Sequence, residues 1–170
     1  GGLPPPRART TEAEALARKW SVQAAERELL ATNAQWYALG RAANIETPDD
    51  AMNLLTNAWL PYQAVAGRMM ARCAYYQQGG AYGYRDQLQD SLLMLARDPA
   101  VTERQIVLHA EAMYADGGVR HWWHPKQPVF VESRHSDTCL WLAFALSEFL
   151  RETGGDAILD RRCTYLDRVT

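Results

Sequence analysis

No stretch of this 170-residue chain sustains the alternation of apolar and polar residues that a series of strands needs. Apolar residues recur instead at spacings of three and four, and glycine or proline interrupts them at intervals that fit a helix and a loop. That rhythm predicts an all-α chain of helical hairpins, an array or an α/α barrel. Thr11 to about Leu39 reads as one amphipathic helix, with Thr11 and Glu14 at capping-box spacing and Gly40 as its stop. A second helix opens at Pro48, Asp49 and Asp50. Pro61 breaks or restarts it, because proline lacks the amide hydrogen and clashes one turn back, so a new helix is expected from Pro61 to about Gln78. Arg85 to Ala96 forms the next. Asp98-Pro99 starts another that stops at Gly117-Gly118, and Ser136 caps a last one that Gly154-Gly155 ends. Between them, residues 117–135 are expected to form a long aromatic loop, with only Val129 to Val131 extended.

Two segments carry chemistry. In "YRDQLQD", Asp86 and Asp90 stand four apart and share a helix face, with Gln89 three from Asp86. Burial against Tyr84 would raise the pKa of Asp86, as a general acid requires, whereas Arg85 and the helix N-terminus would lower it. A cap at Asp86 and a surface charge at Asp90 is the plainer reading. In "HWWHP", His121 and His124 have H-x-x-H spacing, yet no Cys-x-x-Cys or His-Glu-x-x-His accompanies them, so no metal is expected. The sharper reading is a sugar-binding lip, with Trp122 or Trp123 stacked on a pyranose ring and a histidine bonded to its hydroxyls. The bland one is a packed aromatic loop.

Charge excludes one class of partner: a formal net charge of −2 without a basic face argues against nucleic acid. Cys73, Cys139 and Cys163 are odd in number and widely spaced, so free thiols in a reducing compartment are expected, and a cytoplasmic location with them. No apolar run reaches the roughly 18 residues needed to span a bilayer. "GGLPPPRART" lacks the apolar core of a secretory signal and reads as a disordered lead-in over residues 1–10.

Four collinear segments, "TPDDAMNLLTNAWLPYQ", "ARCAYYQQGGAYGYRDQLQD", "ERQIVLHAEAMYADGGVRHWWHP" and "SDTCLWLAFALSEFLRETGGDAILD", resemble the catalytic domain of glycoside hydrolase family 94, the inverting β-glucoside phosphorylases. Within that family the wording is most similar to the phosphorylase-like domain of cyclic β-1,2-glucan synthases and to 1,2-β-oligoglucan phosphorylases. The resemblance implies an (α/α)6 barrel, of which residues 47–170 would form part, entered through a helical segment at 11–46. It implies Asp86 as general acid, protonating the glycosidic oxygen while inorganic phosphate attacks the anomeric carbon to give α-glucose 1-phosphate. Tyr84, Arg85, Gln89, His121, Trp122 and Trp123 become candidate substrate contacts. Phosphate is a co-substrate that needs no second carboxylate as base, and no cofactor is implied. Asp90 is then assigned to holding Arg85, Gln87 or the helix start.

The chain departs from the family at Thr138, where relatives commonly carry a second aspartate after Ser136-Asp137. It resembles only the first part of the barrel, and the family's phosphate-binding residues would fall beyond Thr170. The expectation is therefore a fragment of a longer phosphorylase or of a membrane-associated synthase, inactive alone, partnered by the remaining domains and a β-glucan, with a homodimer as a further candidate. Three other readings compete: a non-catalytic glucan-binding or chain-length-controlling module, a hydrolase, and a purely structural helical domain. The hydrolase needs a second carboxylate roughly 6.5–9.5 Å from the acid, for which Asp137 and Glu132 are the candidates.

Overall fold

The structure, a computed structural model, describes residues 6–70, 80–125 and 127–167, without the side chains of residues 6–12 and 41. It divides into two compact units, Gly1–Ala38 and Leu39–Thr170. The described residues are mostly helical, as the periodicity predicts.

The first unit holds α1 (Pro6–Lys19) and most of α2 (Val22–Arg41). Two helices stand where one is expected. They part at Trp20-Ser21, where the Ser21 hydroxyl accepts the Ala24 amide at 3.1 Å and so begins a new helix. Helix α1 already starts at Pro6, inside the expected lead-in, and the Thr11 capping box lies outside the described side chains.

In the second unit, α3 (Asp50–Leu54) is capped by Asp49, whose carboxylate accepts the amides of Ala51 and Met52. A π-helical segment, Leu55–Trp59, follows, then the short α4 (Leu60–Tyr62), then a second π-helical segment, Gln63–Met70. Pro61 therefore restarts the helix without breaking it, in the first turn of α4. The wider π-turn before it absorbs the missing amide and the ring, and Pro61 ends up buried. The expected continuation to Gln78 lies outside the described residues. Asn53 and Asn57 fasten the preceding chain to this helical run: each side-chain amide both donates to and accepts from the backbone, of Thr47 and Ile45 respectively.

The helix α5 (Tyr84–Ser91) is the centre of the unit and packs against α6 (Pro99–Ala110) and α7 (Leu140–Thr153). Tyr84, Leu88, Ile106, Ala112, Val119, Trp123, Ala145 and Phe149 make one apolar core between them. As expected, Pro99 occupies the first turn of α6 and Gly154 ends α7 at a φ of 65°, a left-handed position that a side chain would strain. Two stops differ. Helix α6 ends at Ala110, and Gly117, at φ 83°, serves a tight turn closed by the Tyr114 amide on the Gly118 carbonyl. Ser136 caps nothing: α7 begins at Leu140, whose amide bonds the Asp137 carbonyl.

The larger correction concerns residues 117–135. They are not a loop. Strands β2 (Arg120–Trp123) and β3 (Phe130–Glu132) form an antiparallel hairpin, and β1 (Tyr82–Gly83) joins it in the order β1-β2-β3. Tyr82 faces Trp123 and Gly83 faces Trp122. Aromatic and β-branched residues before Pro125 and after Pro128 favour such pairing. Because Gly83 also precedes the first residue of α5, the sheet sets where that helix begins.

Candidate functional site

The sheet and α5 together bring Arg85, Asp86 and His121 into one neighbourhood. Asp86 lies half-buried in the first turn of α5, close enough to perturb both His121 and Asp90 electrostatically. Its neighbour Arg85 acts on His121 in the opposite sense, lowering its pKa where Asp86 raises it. Arg85 Nη1 lies 2.9 Å from Asp137 Oδ2, an ion pair between α5 and the turn before α7. That pair, first among several causes, holds the Asp137 carboxyl below the usual carboxylate range. Arg85 is therefore held by Asp137, not by Asp90.

Asp90 has a different partner. Both Nε and Nη2 of Arg68 lie 2.9 Å from its Oδ1, tying α5 to the π-helical segment Gln63–Met70. Asp90 is 6% exposed, and its Oδ2 is buried without a hydrogen-bond partner. Burial outweighs Arg68 and, with Asp86 adding a like charge, leaves the Asp90 pKa raised.

Beneath this surface lies an aromatic floor. Tyr84 is fully buried and donates its hydroxyl to the His109 carbonyl at 3.1 Å. Burial, with Cys139 contributing, pushes its phenol pKa well above the usual range, so it remains a donor. Trp123 is 6% exposed, stacked on Tyr82 at 5.7 Å and set edge-on to His109 at 5.4 Å. Tyr84 and Trp123 thus support the neighbourhood from below instead of presenting a ring face to solvent. Trp122 is half-buried at the strand surface, with the His124 ring edge-on at 5.8 Å. Gln89 is exposed on α5.

His109 was not singled out from the sequence, and it is wholly buried. Its Nδ1 lies 2.7 Å from the Gln105 carbonyl. Burial depresses its pKa to about 4, against the opposing pull of the Gln105 and Gly83 carbonyls, so the ring is neutral at physiological pH. His121 does not pair with His124 as the H-x-x-H spacing suggests. Its ring lies 5.1 Å from that of His135. Among the described residues no group of three His, Cys, Asp or Glu is placed to hold a metal ion. Cys139 and Cys163 are free thiols, and Cys73 lies outside the described residues. No helix among the described residues is long and apolar enough to cross a membrane.

Comparison with known proteins places these features in context. The family model for the glycosyl hydrolase 94 superfamily catalytic domain matches residues 35–170. The cyclic beta-(1,2)-glucan synthase NdvB of Rhizobium meliloti (strain 1021) is 41% identical over 138 residues, which is 81% of this chain and 5% of that protein. Solabiose phosphorylase of Paenibacillus borealis is 31% identical over 72% of this chain and 15% of its own length. N,N'-diacetylchitobiose phosphorylase of Vibrio proteolyticus is 26% identical over 81% of this chain and 21% of its own length. The chain therefore spans between a twentieth and about a fifth of each of these relatives.

Proposed function

The chain belongs to the glycosyl hydrolase 94 superfamily, and on that premise we propose that it forms part of the catalytic domain of an inverting glycoside phosphorylase acting on β-glucans. The observation that carries this reading is the neighbourhood at the mouth of α5: a half-buried carboxylate, Asp86, beside His121, with Arg85 in an ion pair with Asp137.

This reading makes the reaction an acid-assisted phosphorolysis. Asp86 gives its proton to the glycosidic oxygen as the bond to the anomeric carbon breaks. Inorganic phosphate attacks the same carbon from the opposite face, and α-glucose 1-phosphate leaves with the configuration inverted. Phosphate is already an anion, so Asp137 is not required as a base and remains bound to Arg85. His121 and Trp122 meet sugar hydroxyls and a ring edge. No cofactor takes part. A β-1,2 linkage is supported by the 41% identity to a cyclic beta-(1,2)-glucan synthase. The small share of each relative that the chain spans supports a segment of a longer polypeptide, with these helices contributing part of an (α/α)6 barrel.

The test is glucose 1-phosphate release from β-1,2-gluco-oligosaccharides by the protein that carries this segment, with and without phosphate. Asp86→Asn should lower kcat by about 10²–10⁴-fold on the oligosaccharide. It should spare an aryl glucoside whose phenolate leaves unprotonated. Equal loss on both substrates would make Asp86 a sugar-binding carboxylate and not the acid. Free glucose released without phosphate would overturn the phosphorylase reading.

A further inference from the structure

Helices α5 and α6 are fastened to each other at both ends of α5. At its start, the Tyr84 hydroxyl donates to the His109 carbonyl at 3.1 Å. At its end, the Thr102 hydroxyl donates to the Ser91 carbonyl at 2.6 Å. All four residues are fully buried. Tyr84 and Ser91 lie about two turns apart on α5, and Thr102 and His109 about two turns apart on α6. The two bonds therefore cross between antiparallel helices and fix how far α5 can slide along α6.

The first turn of α5 depends on such a hold. Its N-cap is Gly83, which has no side chain to accept the orphan amides. Asp86 follows in the same turn, two residues after Tyr84. His109 meets this turn in more than one way. Its carbonyl takes the Tyr84 hydroxyl, and its ring stands edge-on to Tyr84 at 5.0 Å and to Trp123 at 5.4 Å. The Gly83 carbonyl lies near enough to favour a proton on the ring. The ring is itself locked onto α6. Its Nδ1 is 2.7 Å from the Gln105 carbonyl one turn back, and a carbonyl only accepts, so Nδ1 carries the proton of the neutral imidazole.

We propose that His109 is a positioning residue for Asp86, holding the first turn of α5 in the register at which the Asp86 carboxyl meets the glycosidic oxygen. The inference rests on the phosphorylase-type reading above. Being fully buried, His109 touches no substrate and acts through Tyr84. A displacement of about 1 Å at a reacting group can cost on the order of a hundredfold in rate, so a hold on the backbone two residues from the acid is enough to matter. Thr102 makes the same kind of bond at the opposite end of α5, beyond the turn that carries Asp86.

Three variants of the protein that carries this segment test this. Each is assayed for kcat and KM on a β-1,2-gluco-oligosaccharide and on an aryl glucoside whose phenolate leaves unprotonated. His109→Asn keeps a donor for the Gln105 carbonyl and loses the ring. It should lower kcat on the oligosaccharide roughly ten- to a hundredfold. Tyr84→Phe removes one hydroxyl and keeps the ring, so it tests the same hold should His109→Asn fail to fold. It should lower that kcat roughly five- to tenfold. In both, KM should stay within about twofold and the aryl glucoside should be spared. Thr102→Val removes the bond at the far end of α5. It should lower the melting temperature about as much as Tyr84→Phe does, with kcat changed less than about threefold. Equal kcat losses in Thr102→Val and Tyr84→Phe, or equal losses on the two substrates, would make His109 a core residue only and overturn the proposal. Unchanged kcat in both His109→Asn and Tyr84→Phe would overturn it too. The phosphorylase-type reading is decided separately by Asp86→Asn: a loss confined to the oligosaccharide leaves it standing whatever His109 does.

Discussion

Arg85 and Asp137, 52 residues apart in sequence, meet at 2.9 Å and join the first turn of α5 to the start of α7. Both side chains are nearly half exposed, so the pair stabilises the fold little. Its value is positional. Asp137→Asn should leave the melting temperature almost unchanged while raising the KM for glucan, because Arg85 is then released beside Asp86. Because the Asp137 carboxyl is held below its ordinary range, the link is present above about pH 4 and is lost as pH falls further. A melting temperature lowered by several degrees with KM unchanged would assign the pair to folding instead.

Arg68 and Asp90 are an asymmetric pair. The Arg68 side chain is 40% exposed and that of Asp90 8%. Removing Asp90 leaves a guanidinium that water can reach, whereas removing Arg68 strands a buried carboxylate. Arg68→Ala should therefore cost about 3 kcal/mol in urea unfolding and Asp90→Ala distinctly less. In the Arg68→Ala protein Asp90 should take up its proton at still higher pH, since the two effects of Arg68 that lower its pKa are gone. Equal costs for the two variants would contradict this.

His109 ties stability to pH. Its folded pKa is about 4, below the ordinary 6.5, so the unfolded chain binds more protons between those values. Its contribution, about 3 kcal/mol, is complete above pH 6.5 and is lost as pH falls toward 4. Asp90, with a raised pKa, works in the opposite direction and moderates the loss. The urea midpoint should fall from pH 7 to pH 5, and His109→Gln should flatten that fall while lowering stability at pH 7. An unchanged slope in the variant would show that His109 is not the source.

Arg97 gathers four backbone carbonyls, those of Leu39, Gly40, Ala43 and Thr56, at 3.1–3.2 Å. Two belong to the last turns of α2, where carbonyls lack helical partners. Arg97→Lys should cost about 2 kcal/mol in urea unfolding, because an ammonium cannot reproduce the planar fork. A cost near zero would mean that water satisfies those carbonyls equally well.

Much of this architecture is written in local signals. Pro99 and Gly154 mark helix ends because proline and a left-handed glycine have few other uses there. Family membership is legible in the four collinear segments, whereas the partners of individual charges are not. Asp90 offers three plausible local partners in sequence and takes none of them, since Arg68 arrives from a helix 22 residues earlier. The hairpin at 117–135 is obscured by its own side chains: adjacent tryptophans and a bulge destroy the alternation by which a strand is read. His135 escapes notice because only the folded hairpin brings it to His121. Pro61 is legible as a restart, whereas nothing local announces the π-turn before it.

The Arg97 cluster also says something about the order in which the molecule assembles. Its four acceptors lie 41 to 58 residues upstream, so none of these bonds can form until the chain between them has collapsed. Such a contact is expected to form late in folding. On that expectation loss of Arg97 should leave the refolding rate nearly intact and speed unfolding, which would make this one side chain a determinant of the native state's lifetime.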